Sequence, residues 1–71
     1  MEIARVIEIS AKSSQSFDDA VRKGVERANK TLRGVKGAWV KEMSVDVEDG
    51  QVVTYQVNLK VTFLMEDPDE N

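Results

Sequence analysis

The first chemistry that the residue types suggest is the binding of a divalent cation by carboxylates. Asp46, Glu48 and Asp49 lie within four positions of one another, and carboxylate oxygens are ligands that Ca²⁺ and Mg²⁺ accept. However, their spacing matches no calcium-binding loop motif, and acidic residues at the tip of a hairpin are usually solvated. We therefore predict no metal site at these residues.

The single tryptophan, Trp39, and the glutamine Gln56 suggest a second chemistry, the binding of a planar ligand. An indole ring can stack on a flat aromatic molecule, and a glutamine amide can hydrogen-bond its polar edge. Both residues also have a plainer explanation. Tryptophan is enriched in subunit interfaces, and a glutamine on the polar face of a strand can pair with a neighbouring strand. Both explanations remain open at this point.

Catalysis has little support in the sequence. The chain contains no cysteine and no histidine, so the commonest general base, thiolate nucleophiles and disulfides are all excluded. We find no glycine-rich phosphate loop and no nucleophile paired with a base. We therefore predict that the protein is not an enzyme.

Length and charge narrow the class of partner. The 71 residues are predicted to form one domain, 1–71. A chain this short buries a modest fraction of its surface and usually needs additional stabilisation, so we expect oligomerisation. The net charge of −3 disfavours nucleic acid and anionic membranes as partners. No apolar run reaches membrane-spanning length, and no signal-peptide pattern opens the chain. We expect a cytoplasmic protein whose main partner is itself.

One long β-hairpin, residues 37–65, must position Trp39 and Gln56. Both arms alternate apolar and polar residues, which is the period of a half-buried strand. A two-residue loop at the turn would place Trp39 on the face of Gln56, whereas a three-residue loop, 48–50, places it on the opposite face. Because the register follows the buried face, we predict the three-residue loop, with Gly50 left-handed as a bulge.

This register gives the hairpin one apolar face and one polar face. The apolar residues of both arms share the first face: Trp39, Met43, Val45, Val47, Val53, Tyr55, Val57, Leu59, Val61 and Phe63. The polar residues share the second: Glu42, Ser44, Asp46, Thr54, Gln56, Asn58, Lys60 and Thr62. We expect the apolar face to be the one that a helix covers.

A strand and a loop are predicted before the hairpin, and a tail after it. The β-branched residues of segment 6–9 favour a strand at residues 2–10. The small and polar residues 11–15 favour a loop. Residues 66–71 are acidic, lack apolar side chains and contain the only proline, so we predict a frayed tail there.

A helix is predicted at residues 17–33. Ser16 is a favourable N-cap, and Gly34 follows as a stop signal. The apolar stripe of the helix includes Gly24, which costs about 1 kcal/mol of helix propensity relative to alanine. A close approach of the helix to the sheet would explain this glycine, and simple tolerance of the cost would explain it equally well.

The element order is strand, helix, strand, strand, which predicts an α+β fold with a three-stranded sheet. A right-handed crossover makes the first two strands parallel, and the third lies antiparallel between them. The helix is roughly 25 Å long and the arm 51–63 roughly 40 Å, so about 15 Å of strand stays uncovered. Exposed apolar surface of this kind marks an interface or a ligand site, and we predict self-association.

The sequence resembles the dodecin family over residues 5–66. The similarity consists of short motifs in a fixed order: Val6-Ile7-Glu8-Ile9, Ser16-Phe17-Asp18-Asp19-Ala20-Val21, Ala28-Asn29-Lys30-Thr31-Leu32-Arg33, Val40-Lys41-Glu42, the acidic-glycine turn, Tyr55-Gln56-Val57 and Val61-Thr62-Phe63. No motif is specific alone, but their order, spacing and total length are. The resemblance implies a three-stranded antiparallel sheet partly wrapped round one helix, assembled as a hollow shell of twelve subunits.

The resemblance also implies a ligand. Many dodecins bind flavins (FMN, FAD or riboflavin), stacking the ring on a tryptophan near the start of the second strand and hydrogen-bonding it to a glutamine on the third. Gln56 matches that glutamine, but an ungapped alignment places Gly37, and not Trp39, at the stacking position. Trp39 lies two residues further along the strand, so its side chain is shifted by roughly 6.6 Å from the stacking position.

Two functions follow from this mismatch. We predict a homododecameric binding or storage protein for flavin or a similar flat molecule, with binding weakened or lost at Gly37. The alternative is a flavin-free structural assembly, which could bind a divalent cation.

Overall fold

The computed structural model of the protein describes residues 3–65, which form four elements. In chain order they are β1 (Ile3–Ser13), α1 (Phe17–Leu32), β2 (Val35–Glu48) and β3 (Gln51–Met65). β3 lies between β1 and β2 and is antiparallel to both. The predicted element order and three-stranded antiparallel sheet are therefore confirmed. The tail predicted at residues 66–71 lies outside the described residues.

The strand β1 is longer than predicted. Its last three residues, Ala11 to Ser13, pair with β3 and end opposite Tyr55, so the loop predicted at residues 11–15 is wrong over 11–13. The small side chain of Ala11 obscured the alternation, but it serves the packing because α1 crosses β1 closely at this point.

Ser16 caps the start of α1, as predicted. Its hydroxyl accepts a hydrogen bond from the backbone N–H of Asp19 at 3.0 Å, which satisfies one of the free donors of the first turn. The buried Ser13 hydroxyl donates to the Asp19 carboxylate at 2.6 Å. This hydrogen bond lowers the pKa of Asp19 below its ordinary value, and nearby Lys23 and Arg22 lower it further, against the opposing effect of desolvation.

We expect the Ser13→Ala variant to lose less stability in acid than the natural protein does. Because the folded-state pKa of Asp19 is lowered, its contribution is complete above the unfolded-state pKa of about 3.9 and is lost as pH falls through the folded-state value. Removing the Ser13 hydroxyl raises that folded-state pKa and shrinks the loss. Urea denaturation at pH 6 and pH 3 measures the difference. The control is Ser14→Ala, at an exposed neighbouring position. It should show the same loss of unfolding free energy between pH 6 and pH 3 as the natural protein.

Gly24 allows α1 to lie directly on the sheet. A Cβ atom at this position would lie 3.1 Å from the Cβ of Ala11 and 3.2 Å from a methyl carbon of Leu59. Of the two explanations for this glycine, close approach is therefore the one that the structure supports. The roughly 1 kcal/mol of lost helix propensity is offset by the packing that the missing side chain permits.

The core lies between α1 and the strands β1 and β3. It is built from five buried residues: Ala20, Ala28, Val57, Leu59 and Val61. By contrast, three apolar residues of β2 on the helix side of the sheet stay exposed, Val40, Met43 and Val45, while Val35 packs against the core. The predicted failure of the helix to cover the hairpin is confirmed. In the part of the chain that the structure describes, no helix has both the length and the apolarity to cross a membrane.

The hairpin turn is shorter than predicted. Glu48 pairs with Gln51, so the loop consists of Asp49 and Gly50 alone, and the three-residue loop is wrong. Both loop residues have positive φ, 53° and 78°. Two consecutive residues with positive φ match the right-handed twist of the flanking strands, and Asp-Gly is among the pairs that adopt this turn most readily.

A bulge compensates for the shorter loop. Asp46 pairs with Thr54 whereas Val47 pairs with Val52, so Val53 is an extra residue in β3. From this point Val45 lies opposite Tyr55, whereas the longer loop would have placed it opposite Val53. The two registers differ by two residues, an even number, so each residue keeps the face that the longer loop would have given it. The predicted faces are therefore correct along this part of the hairpin, although the turn was not.

Candidate functional site

The sheet has a helix-side face, which packs on α1, and an opposite face that we call the outer face. The register places on the outer face five residues of β1, six of β3 and five of β2: Ala4, Val6, Glu8, Ser10, Lys12, Thr54, Gln56, Asn58, Lys60, Thr62, Leu64, Gly37, Trp39, Glu42, Ser44 and Asp46. All the site residues considered from the sequence for a planar ligand lie on this face.

Trp39 reaches the outer face because of a second bulge. Val40 pairs with Leu59 and Glu42 with Asn58, so Lys41 is an extra residue in β2. An extra residue inverts the alternation of the strand, and Trp39 therefore lies opposite Lys60 instead of beside the core. The prediction that Trp39 belongs to the apolar face is wrong. A third irregularity, at Lys36, follows where β2 begins.

Trp39 is well placed to contact another molecule. It is 51% exposed, which is a large fraction for an indole in a regular strand. Both explanations given for it from the sequence, a stacking platform and an interface anchor, need this exposure.

Gln56 is held by a chain of hydrogen bonds that crosses all three strands. Its amide nitrogen donates to the hydroxyl of Ser10 at 3.0 Å, and that hydroxyl donates to the side-chain oxygen of Asn58 at 2.8 Å. The amide of Asn58 then donates to the carboxylate of Glu42 at 2.9 Å. One N–H of Gln56 is used in this chain, so the second N–H and the carbonyl oxygen are the groups that it can offer a ligand.

Ser10, Asn58 and Glu42 were not predicted from the sequence to form a connected group. The available signal was the run of polar residues at alternate positions of two arms, which places them on one face. What was missing was the register between the arms, since only the register shows which polar residues lie opposite one another.

Among residues 3–65, two ion pairs span the outer face. Lys41 reaches Glu8 at 3.0 Å, and Lys12 reaches Asp46 at 3.6 Å, each joining β2 to β1 across β3. All four side chains are about half exposed, so each pair contributes only about 0–1 kcal/mol to stability. Each pair nevertheless engages a carboxylate, that of Glu8 or that of Asp46, with a lysine, so neither carboxylate is free to bind a cation without breaking the pair.

The acidic residues do not converge. Within residues 3–65 the structure shows no group of three or more acidic side chains placed to hold a metal ion. Asp46 lies on the outer face beside Lys12, whereas Glu48 and Asp49 form the end of the hairpin. In the described structure these three carboxylates are therefore not directed at one common point, although they are close in sequence.

Gly37 leaves an open place on the outer face. It pairs with Thr62, and no atom lies within 4 Å of the position that its Cβ would take. Measured along β3, Trp39 lies roughly 13 Å from Gln56 and Gly37 roughly 20 Å from it, at about 3.3 Å per residue. The structure thus brings the three residues to one face without bringing them into contact.

The fold and the outer face together define a class of protein: one helix partly wrapped by a three-stranded antiparallel sheet, with an exposed indole on the helix-free face. The chain belongs to the dodecin family, whose model, described as Dodecin, matches residues 3–66. The resemblance noted from the sequence is thereby confirmed, and so is the fold that it implied.

Named relatives support this membership. The chain is 31% identical over 65 residues to "Calcium dodecin" from Mycobacterium tuberculosis, covering 92% of each sequence. It is 39% identical to the solved dodecin from Streptomyces coelicolor, with a TM-score of 0.87, covering 93% of this chain and 94% of that one. The crystal structure of the Mycobacterium tuberculosis calcium dodecin, described as having a novel calcium-binding site, is 28% identical with a TM-score of 0.78 over 97% of both chains.

Proposed function

We propose that the protein is a homododecameric binding or storage protein that takes a flat aromatic molecule, such as riboflavin, FMN or FAD, with low affinity. One observation carries this proposal: the bulge at Lys41 brings Trp39 to the same face as Gln56. An aromatic surface and an oriented amide on one face are the two elements that a planar, polar-edged ligand requires.

The low affinity follows from Gly37. The family resemblance puts the stacking tryptophan at this position, where the chain has no side chain at all. Aromatic stacking contributes about 0.5–1.5 kcal/mol per pair beyond the buried area, and a ring held between two platforms gains this twice. A hydrogen bond from Gln56 contributes only about 0.5–1.5 kcal/mol net, so it does not replace the lost platform.

Self-association is supported by the exposed apolar side chains of the hairpin, among them Val40, Met43 and Val45. Burying them against a second copy would remove this apolar surface from water. The number twelve rests on the family resemblance.

The experiment is a mass measurement combined with a flavin titration. We expect light scattering to give twelve times the 8.0 kDa subunit mass and riboflavin fluorescence to be quenched only at high protein concentration. Because Trp39 supplies the aromatic surface in this proposal, Trp39→Ala should abolish this weak quenching. Tight flavin binding by the natural protein that disappears in Trp39→Ala would show that Trp39 has become the platform, and the proposed low affinity would be wrong.

A flavin-free assembly that binds a divalent cation is the second candidate. The name of the Mycobacterium tuberculosis relative favours it. The carboxylates of Glu8, Glu42 and Asp46 on the outer face are already bonded to Lys41, Asn58 and Lys12, which disfavours it. Calorimetric titration with CaCl₂ separates the two candidates, because the first predicts no saturable heat and the second predicts a stoichiometric one.

A further inference from the structure

A groove of about 520 Å³ runs between α1 and β1. Its lining is mostly apolar and includes Ile7, Ile9, Gly24, Ala28 and Leu32, with Lys23 and Arg27 also at its surface. The groove flanks the place where Gly24 lets α1 approach Ala11 closely, and it is open on one side because β1 is an edge strand of the sheet.

The hairpin tip, which we define as residues 46–54, is the opposite kind of surface. Since β1 ends opposite Tyr55, the sheet has only two strands beyond that point. Val47 and Val52 of the tip are 57% and 46% exposed. A two-stranded ribbon is marginally stable in water by itself, and exposed valines at its end are suited to burial against an apolar surface.

The tip does not reach the groove of its own chain. Ile9, in the groove, lies opposite Leu59 of β3, seven residues from Val52 and therefore roughly 23 Å away along the strand. The described chain is also elongated, with extents of 57 × 19 × 14 Å. Contact between tip and groove therefore requires two copies.

We propose that the hairpin tip of one copy docks into the groove between α1 and β1 of a second copy, an inference that rests on the self-assembly proposed above. Val47 and Val52 match the apolar lining, and the acidic end of the tip, Glu48 and Asp49, matches the cationic residues at the groove. Opposite charges at the edge of an interface fix its register and discourage wrong pairings.

This contact is head-to-tail, so it joins unlike surfaces. Each copy that donates its tip keeps its own groove available for the next copy. The series ends only when the rotation that relates one copy to the next closes it into a ring or shell. The contact therefore builds an assembly larger than a dimer, which agrees with the proposed shell.

Engineered cysteines test the contact directly, because the chain has none of its own. The double variant with Thr31→Cys in the groove and Val47→Cys in the tip should form chains linked by disulfides, seen as a ladder on a non-reducing gel. Either single variant should run as a monomer there. The control pairs Val47→Cys with Lys30→Cys, because Lys30 is exposed and does not line the groove, and it should give no ladder.

Charge reversal gives a second, independent readout. Arg27→Glu should lower the mass of the assembly, and adding Glu48→Arg should restore it, while Lys30→Glu should leave the mass unchanged. Circular dichroism confirms that each variant is folded. Loss of mass without rescue would contradict the pairing of Arg27 with the tip.

The remaining outcomes are distinct. If the natural protein has the mass of one subunit, the proposed assembly is wrong and this contact with it. If the natural protein is assembled but the double-cysteine variant gives no ladder, the contact is wrong while the proposed function stands. Disulfide dimers of Val47→Cys alone would show tips meeting tips. Saturable binding of a fluorescent fatty acid to the assembled protein, blocked by Thr31→Trp, would show that a small apolar molecule takes the groove instead.

Discussion

Replacing Gly37 with tryptophan is expected to raise the affinity for riboflavin at least tenfold. Gly37 lies on the outer face opposite Thr62, with no atom within 4 Å of its Cβ position, so the new side chain meets no obstacle at its base. Tenfold corresponds to about 1.4 kcal/mol, and one stacked pair contributes about 0.5–1.5 kcal/mol beyond the area that it buries. Quenching of riboflavin fluorescence on titration measures the change.

The control for this variant is Gly37→Ala, which adds a Cβ without an aromatic ring and should leave the affinity unchanged. The mass of each variant is measured in parallel, so that an effect on assembly is separated from an effect on binding. If Gly37→Trp keeps the natural mass and shows no gain in affinity, the outer face is not the face that a flavin contacts.

Replacing Leu59 with alanine is expected to lower the free energy of unfolding by about 2–5 kcal/mol, the usual range for Leu→Ala in a packed core. Leu59 is fully buried, and one of its methyl carbons lies 3.2 Å from the Cβ position of Gly24. Because α1 approaches the sheet so closely here, the surroundings have little freedom to collapse into the cavity. Urea denaturation at a fixed protein concentration measures the loss.

Val6→Ala is the matched control for Leu59→Ala. Val6 is also an apolar residue of the sheet, but it lies on the outer face and is 49% exposed. Its truncation should change the free energy of unfolding by no more than about 0.5 kcal/mol. Equal losses for the two variants would mean that the helix-side face is not the core of the folded protein.

Much of the fold was predictable because it depends on short-range patterns. The alternation of the two hairpin arms, the apolar stripe of α1 and the cap at Ser16 each occupy a few neighbouring residues, and each is confirmed. The extension of β1 to Ser13 was missed because the small residues before the helix resemble a loop in composition. Their role as strand residues becomes visible only once Gly24 lies against Ala11.

The face of Trp39 was not predictable, because it depends on irregularities that composition does not reveal. A three-residue loop and a two-residue loop followed by a bulge at Val53 give the same faces for the middle of the hairpin, so the alternation cannot distinguish them. The bulge at Lys41 then reverses the face of every residue of β2 that precedes it, up to the next irregularity. The residues around Lys41 carry no glycine or proline that would mark the reversal.

The bulges of β2 also determine how copies of this chain can associate. β2 is an edge strand, and a long, regular edge is a template on which another strand can add without limit, as in fibrils. Lys36 and Lys41 interrupt this edge twice within fourteen residues, and each interruption leaves a lysine where a regular ladder would need a paired residue. Growth by strand addition is therefore disfavoured along β2, and association there is left to side-chain surfaces, which can close into a particle of finite size.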